Sequence, residues 1–144
     1  MKNFNFWQKW LLIVGIYLAV FGLVLSFFNQ TQLMDFAFNN QIDPVFWQAE
    51  RIPENAVSFQ NWIYGVLGAT VSGWGIFMAF LAYYPFKARE KWAWNCIATG
   101  VAIWFIADTA ISAFYQVTFN IVFNTVLLLL VGIPLLFTRK DFSE

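Results

Sequence analysis

Four apolar stretches dominate the chain: Trp10 to Phe28, Phe59 to Tyr84, Trp92 to Tyr115 and Thr118 to Phe137. A helix needs roughly 20 apolar residues to cross the hydrocarbon core of a bilayer, and all four stretches meet that length. Aromatic residues stand at their edges, where an interfacial belt belongs: Trp7, Trp10, Trp62, Tyr83, Tyr84, Trp92, Trp94 and Tyr115. Of the 144 residues, 60% are hydrophobic and 11% are charged, so more apolar surface is present than one small core can bury. The chain therefore reads as an all-α integral membrane protein, a four-transmembrane-helix antiparallel bundle forming a single domain over residues 1–144. The first stretch follows Lys2 and Lys9 but ends without a small-x-small cleavage pattern, so an uncleaved first span is expected.

Orientation follows from the basic residues. Lys2 and Lys9 precede the first stretch, Lys87, Arg89 and Lys91 separate the second from the third, and Arg139 and Lys140 follow the fourth. The long connection between the first two holds only Arg51 against Asp35, Asp43, Glu50 and Glu54. Basic residues favour the cytoplasmic side, which predicts a plasma or inner membrane protein with both termini and the 85–91 turn in the cytoplasm. The cations of that turn suit anionic lipid heads, and membrane lipids are expected partners.

The outer loop, residues 29–57, is far longer than a connection requires. Asp43-Pro44 ahead of Val45, Phe46 and Trp47 reads as a helix start, because Asp can accept free amide bonds and Pro is pre-set for the first helical position. Pro53 is expected to end that segment, which makes the extracytoplasmic loop partly helical, and Phe36, Phe38 and Trp47 are placed to lie on the membrane surface or cover the outer mouth of the bundle. Near the other end of the chain, Pro134 is expected to bend or terminate the fourth helix.

Several chemistries are excluded. There is no His, and Cys96 is the only Cys, so intramolecular disulfides, His/Cys metal sites and His-dependent nucleophiles are absent. No cofactor motif is found. Net charge is zero, which offers nothing to a nucleic acid.

Asp108 is the one charged residue inside an apolar stretch, and burying it costs a few kcal/mol on insertion scales unless it faces protein, water or a ligand. The turn around Gln116 and Val117 is so short that residues equidistant from it share a depth. This pairs Asp108 with Asn124 and Ser112 with Asn120, and at 1.5 Å per residue sets the Asp108 level about 12 Å from the turn. Gly100, Trp104, Asp108 and Ser112 recur every four residues on one face, and Asn amides are suitable donors to a carboxylate. The second stretch adds Asn61 and Tyr64 near its outer end, and a small-residue stripe for close helix packing at Gly65, Gly68, Ala69, Ser72 and Gly73, with Gly75 nearby.

Two functions are consistent with this pattern. One is an outward-facing pocket centred on Asp108, with Asn124, Asn120, Ser112, Trp104, Tyr64 and Asn61, that binds or transports a small polar, cationic or lipid-like ligand. The other is a non-catalytic structural or accessory subunit, a homo-oligomer or part of a larger membrane complex, in which Asp108 and Asn124 join two helices. A lone carboxyl could also act as a general acid, but no second catalytic group accompanies it.

Overall fold

A backbone that is apolar over twenty residues at a time must pair its own polar groups, and a helix does so within one segment. The computed structural model describes residues 3–47 and 52–142. Helix α1 spans Phe4–Phe28, followed by the short α2, Gln32–Met34, a π-helical turn, Asp35–Asn39, and α3, Asn40–Phe46. Helix α4 covers Glu54–Leu81 and runs into a π-type turn, Ala82–Phe86; α5 is Lys91–Phe114, and α6, Thr118–Thr138, ends in a 3₁₀ turn, Arg139–Phe142. No strand occurs among the described residues. Four of the helices, including their end turns, are long and apolar enough to cross a membrane. Large apolar side chains such as Ile13, Phe77, Ile106 and Leu136 cover the outside of the bundle.

Helices α1 and α4 lie antiparallel in the closest contact of the fold, because their facing residues are small. Gly15 and Gly22 of α1 meet Gly68, Ser72 and Gly75 of α4 with backbone against backbone. A Cβ added to Gly22 would fall 2.3 Å from the Ser72 nitrogen, and one on Gly75 would fall 2.3 Å from the Ala19 nitrogen. The Ser26 hydroxyl donates to the Gly65 carbonyl at 2.9 Å, extending the seam.

The other helices follow up and down through tight turns. After α4 and after α5 the chain closes the same six-residue loop: Glu90 N–H donates to the Pro85 carbonyl and Val117 N–H to the Ser112 carbonyl. Each loop places a non-glycine residue in the left-handed region, Arg89 at φ 61° and Gln116 at φ 62°. Helix α5 packs on α6 and α6 on α1, whereas α5 scarcely touches α4. At the end where α1 begins and the 139–142 turn closes, Phe4, Phe86 and Phe142 form an aromatic cluster, with the Arg89 guanidinium 4.8 Å from the Phe4 ring. We call this the terminal end, and the opposite one the loop end.

The prolines do not break the helices that contain them. Pro134 lacks the N–H that would satisfy the Leu130 carbonyl, yet α6 continues to Thr138. The Trp10 indole N–H donates to that carbonyl at 2.9 Å. At Pro85 the ladder widens into the π-type turn, and buried Gln8 donates its amide to the Ala82 carbonyl at 2.9 Å. Replacing Trp10 by Phe should destabilise the bundle by about 1–3 kcal/mol, the cost of an unsatisfied buried carbonyl. In the Pro134→Ala background the same change should cost less, because an alanine there restores the missing backbone donor. Thermal unfolding of the four variants in one detergent measures the difference.

Three expectations are corrected. Asp43-Pro44 does not start a helix: the helical run begins at Gln32, after Thr31 in an extended conformation, and Pro44 lies inside α3. The start signal is outweighed because Met34, Phe38 and Ile42, spaced by four, lay one face on the bundle, with Met34 buried and Phe38 against Phe21, Phe119 and Phe123. Pro53 caps α4, which begins at Glu54 rather than Phe59, and residues 48–51 lie outside the described part. The small-residue stripe is also rephased. Gly68 and Ser72 face α1, a Cβ added to Gly65 would meet only the Ser26 carbonyl, at 3.7 Å, and one added to Gly73 would meet nothing within 4 Å; Gly75 takes the place of Gly73. That face is occupied within the chain, so it is not free for a second copy.

Candidate functional site

The α5–α6 turn fixes the register of the two helices, and the polar side chains meet as the register requires. Asp108 Oδ1 accepts from Asn120 Nδ2 at 2.6 Å, from Asn124 Nδ2 at 3.0 Å and from the Ser112 hydroxyl at 3.2 Å. Asn120 Nδ2 also donates to Ser112 Oγ at 2.7 Å, and Asn124 Nδ2 lies 3.4 Å from Thr109 Oγ1. Ser112 makes a further bond to the Asp108 backbone carbonyl, at 2.8 Å. Asn124 is 1% exposed, so its amide has no access to bulk water and its donors are committed to protein.

All three side-chain bonds end on one carboxylate oxygen. Asp108 Oδ2 accepts none from the described residues, and neither do the Oδ1 atoms of Asn120 and Asn124. Asp108, Asn120 and Asn124 form the polar corner of a cavity of about 510 Å³ in the loop-end half of the bundle. The remaining walls are apolar and aromatic. Trp74 of α4 and Trp104 of α5 stand 5.5 Å apart between ring centres, bridging the gap between helices that otherwise scarcely touch. Phe21, Phe38 and Phe123 close another side, and Ile42 of α3 lies over the top.

Helices α2 and α3 are tied down as a cover. Gln60 Nε2 donates to Asp43 Oδ1 at 2.7 Å, and the Phe46 ring lies 6.1 Å from that of Tyr115. Burial pushes the Asp43 carboxyl above its ordinary range; the Gln60 hydrogen bond opposes the rise and the charge of Asp35 adds to it. A carboxyl raised in this way favours the protonated folded state. Its contribution to stability is complete below the unfolded pKa and is lost as pH rises through the folded one. Asp43→Asn should therefore flatten the decline in melting temperature between pH 4 and pH 7 while keeping an acceptor for Gln60. An unchanged slope would mean that Asp43 is not responsible.

The expected site residues separate into groups. Asp108, Asn120, Asn124, Trp104 and Tyr64 line the cavity, and the Tyr64 hydroxyl is buried with no hydrogen-bond partner among the described residues. Ser112 is buried behind Asp108 and belongs to the network rather than to the wall. Asn61 is not brought in; its backbone carbonyl accepts from Asn29 Nδ2 at 3.3 Å. Trp74 and Thr70 were not singled out from sequence, although Tyr64, Leu67, Val71 and Trp74 recur at intervals of three and four, which marks one helix face.

A second cavity of about 840 Å³ occupies the α4–α5 gap toward the terminal end, with Trp74 shared between the two. Its walls include Phe77, Phe80, Trp92 and Val101, and its one acid, Glu90, accepts from the Trp92 indole at 3.0 Å. Among the described residues no cluster of His, Cys, Asp or Glu could hold a metal ion. No protein-family model, curated protein or solved structure matches the chain.

Proposed function

We propose that this chain is an integral protein of the plasma or inner membrane that crosses the bilayer four times and binds or carries a small ligand in the Asp108 cavity. Support for insertion comes from four helices of sufficient length and apolarity and from the apolar exterior of the bundle. Lys9, Lys87, Arg89, Lys91, Arg139 and Lys140 all belong to the terminal end, and Asp35, Asp43 and Glu54 to the loop end. The positive-inside rule then puts the termini in the cytoplasm and opens the cavity toward the outer leaflet.

One observation carries the ligand reading. Asp108 is held by three donors on Oδ1 while Oδ2 receives none from the described residues, at the wall of a cavity large enough for a small molecule. A carboxylate that served only to join helices would be expected to use both oxygens. The test is a thermal-shift comparison of wild type with Asp108→Asn across cationic, neutral and anionic small molecules. Stabilisation by some compounds that disappears in an otherwise folded Asp108→Asn protein is the expected result. Persistence of every shift in the variant would place binding elsewhere.

The scaffold reading also has an observation in its favour. Helix α5 scarcely touches α4, so the Asp108 network is a main tether of α5 to the bundle. If Asp108→Asn unfolds the α5–α6 hairpin and no compound stabilises the wild type, an accessory or structural subunit is the better description.

A further inference from the structure

We propose that the ligand of the Asp108 cavity is an organic ammonium ion with an apolar or aromatic body; this inference rests on the pocket reading above. Each Asn amide gives one N–H to Asp108 Oδ1, at 2.6 and 3.0 Å, and turns the other toward a hydroxyl, Ser112 Oγ at 2.7 Å and Thr109 Oγ1 at 3.4 Å, so what each has left is its carbonyl oxygen. With Asp108 Oδ2, the corner holds three acceptor oxygens that receive no hydrogen bond from the described residues. A group that donates N–H bonds and carries positive charge is the chemical complement of a corner made of acceptors and one acid.

The alternatives fit less well. An anionic ligand meets an acid with no Lys or Arg among the sixteen residues that line the cavity. A neutral ligand leaves the acid without a counter-charge, a costly arrangement away from bulk water. A bare metal ion finds a single carboxylate in a space of about 510 Å³, most of whose wall is hydrocarbon and ring. The paired rings of Trp74 and Trp104 suit a cation and its apolar body together, since aromatic faces attract positive charge and bury hydrocarbon.

The test uses the full-length protein in zwitterionic lipid nanodiscs and three probes of similar size: 4-phenylbutylammonium, 4-phenylbutanol and 5-phenylpentanoate. Equilibrium dialysis against labelled probe, corrected with empty nanodiscs, gives each affinity. The ammonium ion should bind wild type at least about 30-fold more tightly than the alcohol, as expected for a buried charge pair, and the carboxylate should bind most weakly. Asp108→Asn should abolish the preference for the ammonium ion over the alcohol. Equal binding of ammonium and alcohol by the wild type overturns the ligand class but leaves the pocket reading standing. Binding of none of the three, with Asp108→Asn merely unfolding the hairpin, overturns both. The wild-type series needs no variant, so it decides the matter even if Asp108→Asn fails to fold.

Discussion

Gly22→Val should be among the most damaging single substitutions in the chain, with loss of about 3 kcal/mol or more of stability, at the upper end of what overpacking costs. The added Cβ would sit 2.3 Å from the Ser72 nitrogen and 2.5 Å from the Gly68 carbonyl oxygen, and both are backbone atoms that no rotamer change can move aside. Relief requires α1 and α4 to separate, which undoes the closest packing of the fold and loosens the Ser26–Gly65 bond with it. Gly75→Val should behave alike, with a clash of 2.3 Å against the Ala19 nitrogen. Gly73→Ala and Gly100→Ala are the controls, because nothing lies within 4 Å of either added Cβ. They should be neutral or gain up to about 1 kcal/mol from helix propensity. Melting temperatures in a single detergent, read by circular dichroism, separate the two classes; equal losses in both would mean that the seam is not where α1 and α4 meet.

The second large effect concerns the network itself. Asn124→Leu removes a donor from Asp108 and leaves the part-buried acid with only Asn120 and Ser112, so a loss of about 1.5–3 kcal/mol is expected, the range for a hydrogen bond to a charged group. Asp108→Leu strands two amide donors and should cost about 2–3 kcal/mol. In Asp108→Leu/Asn124→Leu the two losses should not add, since replacing both partners with apolar groups is far less costly than replacing one. A coupling energy of about 1 kcal/mol or more from this cycle is the expected value. Strict additivity would show that the two side chains do not support each other.

Much of this arrangement was legible from residue positions alone, for a specific reason. A turn of minimal length leaves the α5–α6 register no freedom, so equal distances from Gln116 were enough to bring Asp108, Ser112, Asn120 and Asn124 together. Only the cross-link was missed: Asn120 reaches past Ser112 to Asp108 itself, at 2.6 Å. The apolar runs likewise marked the four long helices, because nothing else satisfies the backbone of such stretches.

What was not legible depends on helical phase within uniformly apolar sequence. Gly73 and Gly75 are two positions apart and chemically identical, yet one faces nothing and the other faces α1. In a soluble helix polar residues would mark the outer face; here the outer face is as apolar as the inner, so the pattern carries no phase. The partners of Gly68 and Gly75 on α1, Gly15 and Gly22, were hidden for the same reason. The start of the covering helices was misplaced because an Asp-Pro start signal is local, whereas docking of Met34, Phe38 and Ile42 on the bundle is tertiary. Trp10 as the partner of the Leu130 carbonyl joins residues 120 positions apart, a distance at which single-sequence patterns are silent.

The most direct measurement is an experimental density map of the full-length protein in lipid, read at the polar corner of the α5–α6 hairpin. The expected map shows the Asn120 and Asn124 amides on Asp108 Oδ1 and additional density against Oδ2, bounded by the Trp74 and Trp104 rings. A map in which the Asp108 carboxyl points to the lipid tails, or in which α4 and α5 close together and leave no cavity, would contradict it.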